Sequence, residues 1–222
     1  MDQTPAHDVC NLDLLSFIPI NSKKLIEIGC SSGAMAREFK FISPKCNYLG
    51  VEIMPLYSEL AKRYCDEVLL MDIEDASESF FIRNSERDCW IFGDTLEHLR
   101  DPWSVLKRIR AVIPETGTVL ACIPNVQHWT VQAKISTGDF KYQTSGLLDK
   151  THLRFFTRKT IYEMFDDAGF KIIDGLTRIL IDPSQDKFLP IIGQMAAAAG
   201  ENPEIAIEEA KIFQFIIKAE PK

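Results

Sequence analysis

The stretch IEIGCSSGAM, residues 26–35, decides the fold, because it can be read as two different chemistries. Gly29 to Gly33 fits G-x-S-x-G, the sharp turn that presents a hydrolase's nucleophilic serine. It also fits a glycine-containing loop between a strand and a helix, which admits a nucleotide-like cofactor close to the backbone. The first reading needs an earlier strand carrying an oxyanion loop. The residues before Ile26 contain no convincing strand, so Ser31 is not read as a nucleophile.

Outward from this stretch, short apolar runs alternate with amphipathic ones. KLIEIG (24–29), NYLGVEI (47–53), EVLLMD (67–72), DCWIFGD (88–94) and GTVLACI (117–123) read as strands. FKIIDG (170–175) and KIFQFIIKA (211–219) complete the set. Helices are expected from Gly33 to about Lys40, over Leu56–Tyr64, after Asp101-Pro102, and after Thr157. Aspartate followed by proline, and threonine before an apolar i, i+3, i+4, i+7 pattern, are helix starts. Such alternation implies an α/β fold with a mostly parallel sheet covered on both faces. Ligands of such sheets bind beyond the carboxyl ends of the strands.

Composition narrows the function. At 222 residues and 46% hydrophobic, the chain suits a single domain over 1–222. The excess of 32 acidic over 25 basic residues, net −7, offers no basic stripe for nucleic acid. The start, MDQTPAHDVC, has no signal-peptide pattern, and no run approaches the roughly 18 apolar residues of a membrane span. The six cysteines lack metal or disulfide spacing, and the expectation is reduced thiols in a cytoplasmic protein.

On the cofactor reading, Gly29 and Gly33 permit a tight turn and close approach to a ligand. Glu52 closes the second strand 19 residues after Gly33, where a carboxylate can accept both hydroxyls of a ribose. Glu27 would repel a pyrophosphate but attract an amine or sulfonium.

EIGCSSG, GVEI, LLMDIED, GDTLEHLRDP and IPNVQHW, in this order, resemble the motifs of class I S-adenosylmethionine-dependent methyltransferases. The similarity runs from about Lys23 to Phe170, with one departure, Ser31 in place of a middle glycine. The resemblance implies a Rossmann-like, doubly wound, seven-stranded sheet with an antiparallel last strand. It implies S-adenosylmethionine as cofactor, with Glu27 and the Gly29-Cys30-Ser31-Ser32-Gly33 loop beside its amino acid part and Glu52 on its ribose. It further implies Asp72 at the adenine amine, Ile53 and Ile73 on the ring faces, and Asp94, Thr95 and Leu96 beside the methionine portion.

Two segments break the alternation, 124–156, expected as a substrate lid, and 182–210, an insertion before the last strand. The first carries His128, His152, Arg154 and several aromatics, and its LLDKTHLRFFT resembles a signature of bacterial methyltransferases of polysaccharide or small-metabolite biosynthesis. His128 or His152 is the expected proton acceptor and Arg154 the anchor of an anionic group. No metal is expected. A weak candidate set, Asp94, Glu97 and His98, would share one face if helical and could bind a divalent cation. The alternative pairs Glu97 with a nearby arginine.

The expected activity is methyl transfer to a small-molecule or sugar acceptor, most readily at oxygen, with neither nucleic acid nor membrane as partner. The alternatives are a cofactor-binding regulatory or assembly module and a nicotinamide-dependent reductase. The reductase reading lacks a Tyr-x-x-x-Lys pair.

Overall fold

The computed structural model describes residues 8–222; residues 1–7, most of the stretch judged for a signal peptide, lie outside them. Seven strands form one sheet in the order β3-β2-β1-β4-β5-β7-β6. They are β1 Lys24–Ile28, β2 Asn47–Glu52, β3 Glu67–Leu70, β4 Cys89–Gly93, β5 Thr118–Pro124, β6 Phe170–Ile179 and β7 Ile212–Pro221. The first five run parallel, and β7 inserts antiparallel between β5 and β6. This is the expected architecture.

Both faces of the sheet are covered, which explains why the central strands read as continuous apolar runs. On one face Ile26, Ile28, Trp90 and Phe92 pack with residues of α4 (Glu78–Arg83), α5 (Pro102–Arg110) and α7 (Arg158–Asp167). On the other, Leu25, Tyr48, Cys89 and Ile91 meet α1 (Leu12–Ser16), α2 (Ala34–Ile42) and α3 (Pro55–Ala61). The caps behave as the sequence suggests. Asp101 accepts from the Ser104 amide with Pro102 at the first turn, and Thr157 forms a reciprocal capping box with Thr160.

The two irregular segments fold against each other. Residues 129–136 form α6, and 182–210 supplies the helical pair α8 (Gln185–Ala198) and α9 (Pro203–Lys211). Trp129 packs with Leu189, Ile192 and Ala210, and stacks on Phe188 at 5.3 Å. Strand order reverses between β1 and β4, so a crevice opens above their carboxyl ends.

Candidate functional site

A cavity of about 430 Å³ occupies that crevice. Its floor is the turn after β1. Gly29, Ser31 and Gly33 all have positive φ, at 74°, 48° and 81°. Gly29 has no room for a side chain, because a Cβ there would lie 2.7 Å from Thr95 Oγ1. That hydroxyl in turn donates to the Ile28 carbonyl at 2.9 Å. Gly33 does not line the cavity; it caps α2, and a Cβ on it would lie 3.1 Å from the Ala61 backbone.

Glu52 holds the loop. Its Oε2 accepts from the Ser31 amide at 2.8 Å and its Oε1 from the Met54 amide at 2.9 Å. Each carboxylate oxygen has a second lone pair, which leaves capacity for a ligand hydroxyl. Glu27 is buried and accepts from Tyr48 Oη at 2.8 Å. Burial, reinforced by the nearby Glu52 charge, pushes its pKa up to about 8 against the opposing bond from Tyr48.

Asp72 lines the cavity, caps the turn Ile73–Asp75 by accepting from the Glu74 amide, and pairs with Arg100 at 3.1 Å. Ile53 is 40% exposed and Ile73 is buried, and both line the cavity.

Beyond β4 the chain turns through Asp94, which has φ 53°, into a short 3-10 turn, Leu96–His98. Asp94 is exposed to the open cavity, and desolvation by the protein around its carboxyl raises its pKa to about 6. Its Oδ1 accepts from Gln214 and from the Cys122 thiol. Thr95 also lines the cavity.

Leu96 does not; it is fully buried in the core, so its expected place beside the methionine portion is corrected. The 3-10 geometry corrects the metal set as well, since i, i+3 and i+4 share a face only on an α-helix.

Glu97 and His98 are joined instead by His152. One ligand atom from each of the three lies within 4.8 Å of the others. The chain brings them together because the Leu153 and Arg154 amides both donate to the Glu97 carbonyl, at 2.8 and 3.0 Å. The imidazoles of His98 and His152 meet edge to face at 4.8 Å.

Glu97 is fully buried and pairs with no arginine. Its own amide lies near, but neither carboxylate oxygen has a hydrogen-bond partner. Burial, with the Asp94 and Asp149 charges, drives its pKa well up.

The other expected acceptor-side residues sit elsewhere. His128 is buried, caps α6 through Thr130 and does not line the cavity. Its pKa falls to about 4 by burial, so it is a helix cap, not a base beside the cofactor. Arg154 donates to its neighbour Leu153's carbonyl and to that of Arg100, also outside the cavity.

Arg100 is the one lysine or arginine among the described lining residues, and it is engaged by Asp72, Glu74 and Asp75. The expected anchor for an anionic acceptor is therefore missing. Sequence reading also passed over Asp149, Phe213 and Gln214, which line the cavity from the lid and the last strand without any motif to mark them.

A family model described as a methyltransferase domain matches residues 9–174. The chain belongs to this family. No curated protein matches the sequence.

Solved structures of the same fold include the methyltransferase in the Haloferax volcanii Trm112 complex. It is 14% identical, covers 94% of this chain and 86% of its own, and has a TM-score of 0.62. Magnesium protoporphyrin IX methyltransferase from Synechocystis PCC 6803, with bound S-adenosylhomocysteine, is 11% identical, with 94% and 78% covered and a TM-score of 0.60. A possible histamine N-methyltransferase from Thermotoga maritima is 16% identical, with 95% and 88% covered and a TM-score of 0.59.

S-adenosylmethionine is the cofactor of this domain. The donor set fits it, since the acidic Glu27, Glu52 and Asp72 line a cavity floored by a turn whose Gly29 has no room for a side chain. No described helix is long and apolar enough to cross a membrane.

Proposed function

We propose that this protein methylates a small molecule or sugar at oxygen, as bacterial enzymes of polysaccharide or small-metabolite biosynthesis do. The observation that carries the reading is one continuous cavity, running from Glu52 to His152. It joins a glycine turn fit for the cofactor to a polar half fit for an acceptor.

When bound, the cofactor supplies a methyl group already made electrophilic by its sulfonium. The protein's task is then mainly to align the acceptor and exclude water. Glu52 receives the ribose hydroxyls, Asp72 the adenine amine, and Ile53 and Ile73 the ring faces. Glu27, Asp94 and Thr95 border the methionine portion.

Residues 145–153 of the lid form the wall facing the cofactor half. His152 donates from Nδ1 to the Leu147 carbonyl at 3.3 Å, so Nε2 keeps a lone pair for an acceptor's hydroxyl proton. Burial lowers the pKa of His152 to about 4, so it orients that hydroxyl as a neutral hydrogen-bond acceptor. An acidic cavity whose one arginine is engaged favours a neutral or cationic acceptor over an anionic one. The unpartnered groups at the acceptor end argue against a purely regulatory module, in which they would serve nothing.

Calorimetry with S-adenosylmethionine and S-adenosylhomocysteine tests the cofactor half. Transfer of labelled methyl to panels of hydroxyl, carboxylate and amine acceptors tests the other. Binding of both nucleosides with label appearing on hydroxyl acceptors is expected. Failure to bind either nucleoside overturns the reading, and label on amines alone overturns the oxygen assignment.

A further inference from the structure

The acceptor end of the cavity holds a buried carboxylate that no described residue satisfies. Neither Glu97 oxygen has a hydrogen-bond partner, and Asp94 and Asp149 add negative charge nearby. A buried carboxyl without donors among the described residues is costly, and it suits a group that completes it.

The two histidines beside it show what kind of group. His98 Nδ1 lies 3.1 Å from both the carbonyl and the hydroxyl of Thr151. The Thr151 hydroxyl donates to Asp149 at 2.7 Å, so it has no proton for the imidazole. Nδ1 therefore carries the proton and donates to the carbonyl. His152 does the same toward Leu147. Both rings are fixed in the tautomer whose Nε2 bears a lone pair.

An imidazole that gives its other N–H to a backbone carbonyl has the outer-shell arrangement of a metal ligand. Two such nitrogens and one carboxylate are a donor set for a first-row transition ion; magnesium and calcium prefer all-oxygen sites.

We propose that Glu97, His98 and His152 bind one divalent transition-metal ion at the acceptor end of the cavity. Ligand atoms about 2.1 Å from an ion are at most about 4.2 Å apart, so a span of 4.8 Å has to close by roughly half an ångström. That is within side-chain adjustment. Asp94 stays out of the set, being engaged by Gln214 and Cys122. With the ion bound, the His152 lone pair goes to the ion, which takes over from the imidazole in orienting the acceptor, neutralises the carboxylate cluster and offers an oxygen acceptor a fixed point facing the glycine turn. Only this last role rests on the methyl-transfer reading; the ion's binding does not.

The test is titration of the metal-stripped full chain with Mn²⁺, followed by paramagnetic resonance, and with Co²⁺, followed by visible absorption. S-adenosylhomocysteine affinity is measured on the same samples. One ion per chain is expected. Glu97→Gln and His152→Gln should each weaken it at least tenfold and leave S-adenosylhomocysteine affinity within twofold.

No stoichiometric Mn²⁺ or Co²⁺ binding to a chain that binds S-adenosylhomocysteine overturns the proposal. So does undiminished binding in both variants. If Glu97→Gln does not fold, His152→Gln decides alone. Loss of S-adenosylhomocysteine binding with the ion bound would instead sink the cofactor assignment.

Discussion

The two ends of the cavity treat their carboxylates in opposite ways. At the glycine turn the chain supplies partners of its own. Glu52 has two backbone amides, Glu27 has Tyr48, and Asp72 has the Glu74 amide and Arg100. At the lid, Glu97 is as deeply buried and has none. The first end is assembled before any ligand arrives, so binding there need not order the loop. The second end is left incomplete. Pre-organisation serves a ligand whose shape is constant; an unsatisfied carboxyl leaves a place for a further group to be brought in.

That contrast can be broken most forcefully at Gly29. Gly29→Ala adds a Cβ 2.7 Å from Thr95 Oγ1 on a backbone with φ 74°. Left-handed strain and the displaced Thr95 bond together are expected to cost about 2–4 kcal/mol of stability. Thermal unfolding should show this, with cofactor binding lost in calorimetry. A Gly29→Ala protein as stable as the parent would mean the turn is not held as described.

Next comes Glu52→Ala, which frees the Ser31 and Met54 amides. Hydrogen bonds to charged groups are worth about 1.5–3 kcal/mol each, so cofactor affinity should fall on the order of 100-fold, with the fold intact. Unchanged affinity would contradict pre-organisation.

What was legible in the sequence follows the same division. The place of Gly29 and Glu52 at the cavity is legible because each sits at a fixed position relative to a strand end, and strands show in local apolar pattern; that of Asp72 comes from the resemblance. The helix starts at Asp101 and Thr157 were readable for the same reason. The encounter of Glu97 with His152 was not, since it depends on the Leu153 and Arg154 amides reaching the Glu97 carbonyl across more than fifty residues. Leu96 carries its expected place from the resemblance alone and turns into the core instead, while a face shared by Asp94, Glu97 and His98 presupposes an α-helix where a 3-10 turn forms. His128 was read as chemistry because a histidine that caps a helix looks the same in sequence as one that moves a proton.

A smaller effect concerns pH. At neutral pH Glu27 is mostly protonated, because its pKa stands at about 8. A cationic ligand beside it favours the ionised form, so binding expels a proton. Affinity for S-adenosylmethionine should therefore rise between pH 6 and 8, by at most about tenfold per unit for one proton. Glu27→Gln should flatten that slope. A slope that survives the substitution places the titrating group elsewhere.

At the lid, His128→Gln should leave turnover unchanged and lower stability by about 1 kcal/mol, as loss of a helix cap does. Lost turnover in a folded variant would restore His128 to the chemistry.

The mildest probe is Ser31→Gly. Ser31 holds φ 48°, a left-handed conformation that costs a side-chain-bearing residue roughly 1–2 kcal/mol. Glycine would relieve this but lose more backbone entropy on folding, roughly 0.5–1 kcal/mol. The amide that donates to Glu52 is retained in either case. The balance leaves a gain of about 0–1.5 kcal/mol, or a melting temperature higher by up to roughly 5 °C. A lower melting temperature would show that the serine hydroxyl, not only its amide, supports the turn. In that event the glycine end would be built more tightly around this sequence than its backbone bonds alone require.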